Sequence, residues 1–265
     1  MTPDALAHFA SLARELALAA RRETMPRFLE GCPADNKAGG EAYDPVTEAD
    51  RSAEQAMREI ISRKHPDHGI SGEEFGDTPG QGSLSWCLDP VDGTRSFICG
   101  LPTWVTLAAL LDSGGPVMGL IDAPCLDELY LGVPGETIME RAGRQTTLTT
   151  SGCTSLAAAR LSTTDPFLFE GAQRSAFDKL HSASRTARFG HDGYAYARLA
   201  AGSLDLVVEC GLKPHDYNAL IPVVRGAGGV IGDWRGGNDF AAGNVIAAAT
   251  PELFDAAVAV MGDSI

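Results

Sequence analysis

A layered α/β fold of the αβαβα kind is predicted by three observations on the sequence. Two amphipathic helical stretches come first, a block of strand-like segments follows, and short strands then alternate with helices to the C-terminus. The expected division is an antiparallel-rich half over residues 1–150 and a mixed α/β half over residues 151–265.

Each element has its own signal. From residue 3 to about 29, Leu6, Phe9, Leu12, Leu16 and Ala20 recur at three- and four-residue steps, the spacing of one helix face. A loop, EGCPADNKAGGEAYD, separates this helix from a second within PVTEADRSAEQAMREIISRKHP, where Ala49, Ala53, Met57, Ile60 and Ile61 face inward and Pro66 ends the run. GISGEEFG, LSWCLD, WVTLAALLDSGGPVMGLIDA and LDELYLGVPGETIMERAGRQTTL then read as strands, and their Gly- and Pro-containing turns predict an antiparallel meander of hairpins. Beyond residue 150, LSTT, RTARFGHDGYAYARLAAGSLDLVVE, HDYNALIPVVRGAGGVIGDW and NVIAAATPELFDAAVAVM alternate strand and helix. The glycines of GAGGVIG follow a helix and lead into a strand, the reverse of a dinucleotide-binding fingerprint, and fit a helix end better.

Composition excludes several functions. With 265 residues, 44% of them hydrophobic, the chain can bury a sizeable core. A net charge of −14 disfavours nucleic acid, which demands basic patches. No run of 18 apolar residues suggests a membrane span, and the first helix, acidic early and arginine-bearing late, is unlike a signal peptide; a cytoplasmic location is expected. Cysteines 32, 87, 99, 125, 153 and 210 form no CxxC pair, so neither a zinc site nor a disulfide framework follows from their spacing. His65 and His68 are separated by a proline and read as a loop rather than as a metal site.

Acidic residues cluster at element ends, in DPVTEAD (44–50), GEE (72–74), DPVDGT (89–94) and KPHD (213–216), each beside a Gly or Pro bend. Any one of them has a plain structural reading. Asp216 would cap a helix, Glu73 and Glu74 would line a solvated loop, Asp50 would sit on a helix surface, and DPVDGT would be a turn. Together they bring carboxylate oxygens from four separated places, the ligand type that Mg²⁺ takes. The ligand spacing of an EF-hand is missing.

In this order and spacing, DPVTEAD, GEE, WCLDPVDGTRSF and HDYNALIPVVRGAGG resemble the four signatures of the inositol monophosphatase family of Mg²⁺-dependent, lithium-sensitive sugar phosphatases, over roughly residues 37 to 230. The resemblance implies the sugar-phosphatase fold, two to three Mg²⁺ ions per active site and a homodimer. It places the metal ligands on Glu73, Asp89, the carbonyl of Val91, Asp92 and Asp216. It assigns water activation to Thr94 with Glu73, and the orienting of Thr94 to Asp50. The phosphate cradle falls on the amides of Gly93 and Thr94, and Lys37 stands where the family often has a basic residue near the metals. Phosphate monoesters are among the slowest substrates to hydrolyse, with accelerations reaching roughly 10²¹-fold. A pair of metals clamping the attacking and leaving oxygens suits that task without a covalent nucleophile.

Within the family, DGYAYARL, His215-Asp216 and Asn218-Ala219-Leu220-Ile221-Pro222 resemble the histidinol-phosphate phosphatase branch more than the inositol branch. Two departures stand out, Gly193 where the branch has Cys and His191 at a usually small position. Glu209 falls where the family puts a substrate-facing acid, and Asp192 adds a second negative charge, which suits a cationic amino-alcohol ester. Asp192 also reads as an N-cap of the following helix. Gly190, Asp192, Glu209, Asp92 and Asp216 are expected to contact substrate, and Arg188 either reaches the phosphate or lies on the surface. An inositol phosphate or another small sugar phosphate is the alternative substrate.

Overall fold

The structure is a computed structural model describing residues 1–36 and 45–262. Elements in chain order are α1 (Pro3–Glu30), β1 (Ala34–Asn36), β2 (Pro45–Thr47), α2 (Glu48–Lys64), β3 (Gly69–Gly72), β4 (Ser85–Asp92), α3 (Thr94–Ile98), β5 (Val105–Asp112), β6 (Gly115–Ala123), β7 (Glu128–Val133), β8 (Glu136–Arg141) and β9 (Arg144–Thr147). The second half contributes β10 (Arg160–Thr163), α4 (Gly171–Ala183), β11 (Thr186–Phe189), α5 (Asp192–Ala200), β12 (Leu206–Glu209), α6 (Pro214–Tyr217), α7 (Leu220–Gly226), β13 (Val230–Gly232), β14 (Val245–Ala248) and α8 (Pro251–Met261). α4, within GAQRSAFDKLHSA, has no counterpart among the expected elements.

A seven-stranded sheet runs in the order β3-β4-β5-β6-β7-β8-β9 and a five-stranded sheet in the order β11-β10-β12-β14-β13. From β4 to β9 the first sheet is the expected antiparallel meander. Its first pair is the exception: β3 and β4 lie parallel, because the chain between them crosses back to the starting edge instead of turning in a hairpin.

The period-two alternation of the strands builds the layers. Trp86, Leu88, Ala108, Leu110, Met118 and Leu120 point one way and pack on Phe9, Leu12, Leu16, Met57 and Ile61 of α1 and α2. Cys87, Leu107, Ala109 and Ile121 point the other way and meet Ala195 and Leu199 of α5, Leu220 and Val223 of α7, and Val207, Val245 and Ala247 of the second sheet. The far face of that sheet, with Leu161, Leu206, Val208 and Ile246, is covered by Phe177 and Leu180 of α4 and Leu253 and Ala257 of α8. The result is helices, sheet, helices, sheet, helices, as predicted.

Candidate active site

The end of β4 is where the chemistry concentrates. Residues three apart on a regular strand point to opposite faces, so Asp89 and Asp92 would be separated. The β4–β5 register shifts between them, at Pro90 and Val91, where a proline has no N–H for the ladder. The Pro90 carbonyl is taken instead by Thr106 Oγ1 at 2.8 Å, and the bulge turns both carboxylates toward one place. There, oxygens of Asp89, Asp92 and Asp216 lie within 4.8 Å of one another, as do donor atoms of Glu73, Asp89 and His215. Glu73 follows β3 and Asp216 lies in α6, so three separate elements supply this group.

The acids are fixed by backbone and hydroxyl groups. Asp89 Oδ1 accepts from Val91 N at 3.1 Å, and Asp216 Oδ2 from Lys213 N at 2.6 Å. Asp216 is thus the third residue of a short helix that Lys213 begins, not the N-cap that the sequence suggested. Asp50, fully buried, serves twice. Its Oδ2 closes the capping box of α2, accepting from Thr47 N at 2.8 Å and Thr47 Oγ1 at 2.5 Å, while its Oδ1 lies 3.3 Å from Thr94 Oγ1. Thr94 Oγ1 is also 3.0 Å from the Val91 carbonyl, so its single proton serves one of these two acceptors at a time.

Burial and mutual repulsion define the electrostatics. Burial pushes Asp89 well above the ordinary carboxylate range, and the charges of Glu73, Asp92 and Asp216 push it further. Asp92 is raised likewise by burial and by Asp192 and Asp216, although the bond from Gly193 N at 2.5 Å opposes this. Burial also raises Asp50 and Asp216. Such a group fits a hard divalent cation: several oxygen donors, of which the acids hold one another's charge in check until a positive ion is supplied.

A cavity of about 250 Å³ opens from this cluster and is lined by Glu73, Asp92, Gly93, Thr94, Asp192 and Glu209, among others. Its far wall comes from the second sheet. Glu209, at the end of β12, accepts from Thr164 N at 2.7 Å and from the hydroxyls of Thr163 and Thr164 at 3.1 Å each. Burial outweighs those bonds and lifts its carboxyl to about 8. Asp192, lifted by burial to about 6, is held by Thr164 and Ser96. It does not cap α5: His191 is the N-cap, and Asp192 occupies the first helical position at φ 45°.

Two Asp-Gly pairs interlock where the halves meet. A Cβ on Gly193 would stand 2.6 Å from Asp92 Oδ2, and one on Gly93, at φ 86°, would stand 2.8 Å from Asp192 Oδ2. The lack of a side chain at Gly193 therefore gives Asp92 room against the α5 backbone.

Other expected positions fall elsewhere. Arg188 is exposed on edge strand β11, donates to the carbonyl of its neighbour Ala187 at 3.0 Å, and does not line the cavity, so of its two expected readings the surface one fits. Gly190 does not line the cavity either; its φ of 80° turns the chain into α5, and its carbonyl is 3.3 Å from Thr103 Oγ1. His191 lies 3.3 Å from Ser162 Oγ. Lys37 lies outside the described residues. His65, Asp67 and His68 do bring ligand atoms within 4.8 Å of one another at the other end of β3, where the two rings stack at 4.6 Å and Trp86 Nε1 donates to His68 Nδ1. Thr164, Tyr196 and His215 also line the cavity and Thr163 braces Glu209; no local pattern in the sequence marks Thr163, Thr164 or Tyr196 as site residues.

The chain belongs to the inositol monophosphatase family, whose pattern matches residues 5–264. It is 33% identical over 264 residues to the histidinol-phosphatase of Chlorobaculum parvum, covering 99% of this chain and 98% of that one. It is 46% identical over 194 residues to the chloroplastic bifunctional phosphatase IMPL2 of Arabidopsis thaliana; that match covers 72% of this chain and 55% of the relative's length. An inositol monophosphatase structure from Zymomonas mobilis superposes with a TM-score of 0.81 at 39% identity, covering 95% of this chain and 96% of that one. With these relatives the chain is a phosphoric monoester hydrolase.

Proposed function

We propose that the chain is a Mg²⁺-dependent histidinol-phosphate phosphatase. The carrying observation is the pairing of Asp192 and Glu209 on the wall of the same cavity that holds Asp92 and Asp216. Two acids there give a site for a cation on the alcohol portion of the ester. The near-full-length likeness to a histidinol-phosphatase supports that choice.

Glu73, Asp89, the Val91 carbonyl, Asp92 and Asp216 would hold Mg²⁺, which when bound supplies positive charge to the phosphoryl and leaving oxygens. The protein's own groups do the rest. With its hydrogen bond donated to Asp50, the Thr94 hydroxyl keeps its lone pairs for the attacking water, and Glu73 receives the water's proton. Gly93 and Thr94 start the one-turn helix α3 and offer their N–H groups to the phosphate. Asp192 and Glu209 orient the alcohol portion.

The test is a panel of phosphate esters on chelated protein with and without added Mg²⁺. Histidinol phosphate should exceed inositol 1-phosphate by about tenfold or more in kcat/KM, the worth of one charge-assisted contact, and activity should require the added ion. The reverse ranking would favour the inositol reading, and full activity after chelation would remove the metal from the account.

A further inference from the structure

Asp50 and Glu54 stand one turn apart on α2, so their side chains share a face of that helix. Both are completely buried. Asp50 reaches Thr94, and Glu54 reaches the turn that carries Glu73. Gly72 and Gly76 exchange backbone bonds of 3.2 and 3.1 Å, which close that turn with Glu73, Glu74 and Phe75 at its tip. The Glu54 carboxylate seizes the chain on both sides of Glu73. Its Oε2 accepts from Glu74 N at 2.7 Å, and its Oε1 accepts from Phe75 N at 3.2 Å and from Arg58 Nε at 2.7 Å. On the other side Gly72 makes room for it, since a Cβ there would stand 2.2 Å from Glu54 Oε1. Arg58 completes the clasp, donating to the Gly76 carbonyl and, at 3.1 Å, to Thr78 Oγ1. Glu73 N donates to the Leu88 carbonyl at 3.3 Å, one residue before Asp89 on β4.

A buried ion pair is not in itself a device for stability, because apolar residues of similar volume often serve as well or better. What the Glu54 carboxylate gathers says why it is there. Two of its donors are the backbone N–H groups that directly follow Glu73, and its oxygen packs against the residue that directly precedes it. Groups that brace a metal-binding side chain from behind fix its orientation, and losing one typically costs about 10–100-fold in metal affinity or activity.

We propose that Glu54 is a positioning residue for the water-activating carboxylate: it clamps the 72–76 turn so that Glu73 is presented to Asp89, as Asp50 on the same helix face holds Thr94. α2 thereby sets both members of the water-activating pair from one rigid element. The assignment rests on the reading of Glu73 as a Mg²⁺ ligand.

Calorimetric titration of metal-free protein with Mg²⁺ tests it, in wild type, Glu54→Ala, Glu54→Gln, Glu73→Gln and the Glu54→Ala/Glu73→Gln double variant, with each melting temperature taken alongside. Glu54→Ala should weaken Mg²⁺ binding by about 10–100-fold. Glu54→Gln keeps an oxygen for the N–H groups of the turn and should recover part of that loss. In the Glu73→Gln background, Glu54→Ala should add less than about twofold, because both changes act through one carboxylate. A lowered melting temperature with wild-type Mg²⁺ affinity would make Glu54 a structural residue and overturn the assignment. The same loss of affinity with Glu73 present or replaced would overturn it too. If Glu54→Ala does not fold, Glu54→Gln carries the test: weakened Mg²⁺ binding supports the role, and unchanged binding overturns it. Unchanged Mg²⁺ binding in Glu73→Gln would overturn the reading of Glu73 as a ligand, and this role with it.

Discussion

Asp205 and Asp92 are both acids at the end of a buried element, and they live in opposite electrostatic surroundings. Asp205, just before β12, is gripped by the guanidinium of Arg160 through two bonds of 2.7 Å, by Arg160 N at 2.8 Å and by the Ser151 hydroxyl. Burial alone would raise its carboxyl, but these donors outweigh it and hold Asp205 below the ordinary range. Asp92 faces Asp192 and Asp216, and is pushed well above that range. The difference teaches which acids hold the fold together and which are held by it. Where cations and N–H groups meet a carboxylate, its charge stabilises the native state; where carboxylates meet one another, the rest of the structure maintains an unfavourable arrangement that a cation can relieve.

The largest effect expected from breaking this contrast is on catalysis. Asp92→Asn should lower turnover of every ester by more than the roughly 10–100-fold that outer-shell changes cost at metal sites. It should leave the metal-free protein at least as stable as wild type, because a like charge has been removed. A metal-free variant that unfolds more readily would place Asp92 with the structural acids.

A smaller effect, on stability alone, belongs to Asp205→Asn. Loss of charge-assisted bonds to Arg160 should cost about 2 kcal/mol near neutral pH. The sign of its pH dependence follows from a depressed folded value. The wild-type advantage is complete above the unfolded carboxyl's pKa, about 4, and disappears as pH falls through the lower folded one. Denaturant titrations at several pH values would show the two proteins converging in acid while phosphate release near neutrality stays close to wild type. A difference that persists unchanged into acid would mean that the pair is not the cause.

The same contrast explains what could be read from the sequence. The layer order was legible because each strand alternates its faces and each helix has one apolar stripe, as with Trp86 and Leu88 against Cys87. The acids that gather at the cavity were legible as motifs, since each lies beside a Gly or Pro. Their convergence was not, because it depends on a register shift at Pro90 that no local pattern records. Parallel pairing of β3 with β4 was missed for a related reason: pairing direction is set by the path of a long connection, whereas turn residues report only on hairpins. Arg188 looked useful by its charge and position in the chain, yet the edge strand points it to solvent. Tyr196 and the Thr163–Thr164 pair are brought to the cavity by the tertiary arrangement, so only the folded structure could single them out.

The central claim is that the acids around Asp92 are arranged for a divalent cation. The most direct measurement is the melting temperature of the protein as Mg²⁺ is added at constant ionic strength, in wild type and in Asp92→Asn. Binding to the native state alone adds about 2.7 kcal/mol at a hundredfold excess over Kd. The wild-type temperature should therefore climb with Mg²⁺, while that of the variant stays nearly level. A wild-type curve that does not move, or the same climb in both proteins, would contradict the claim.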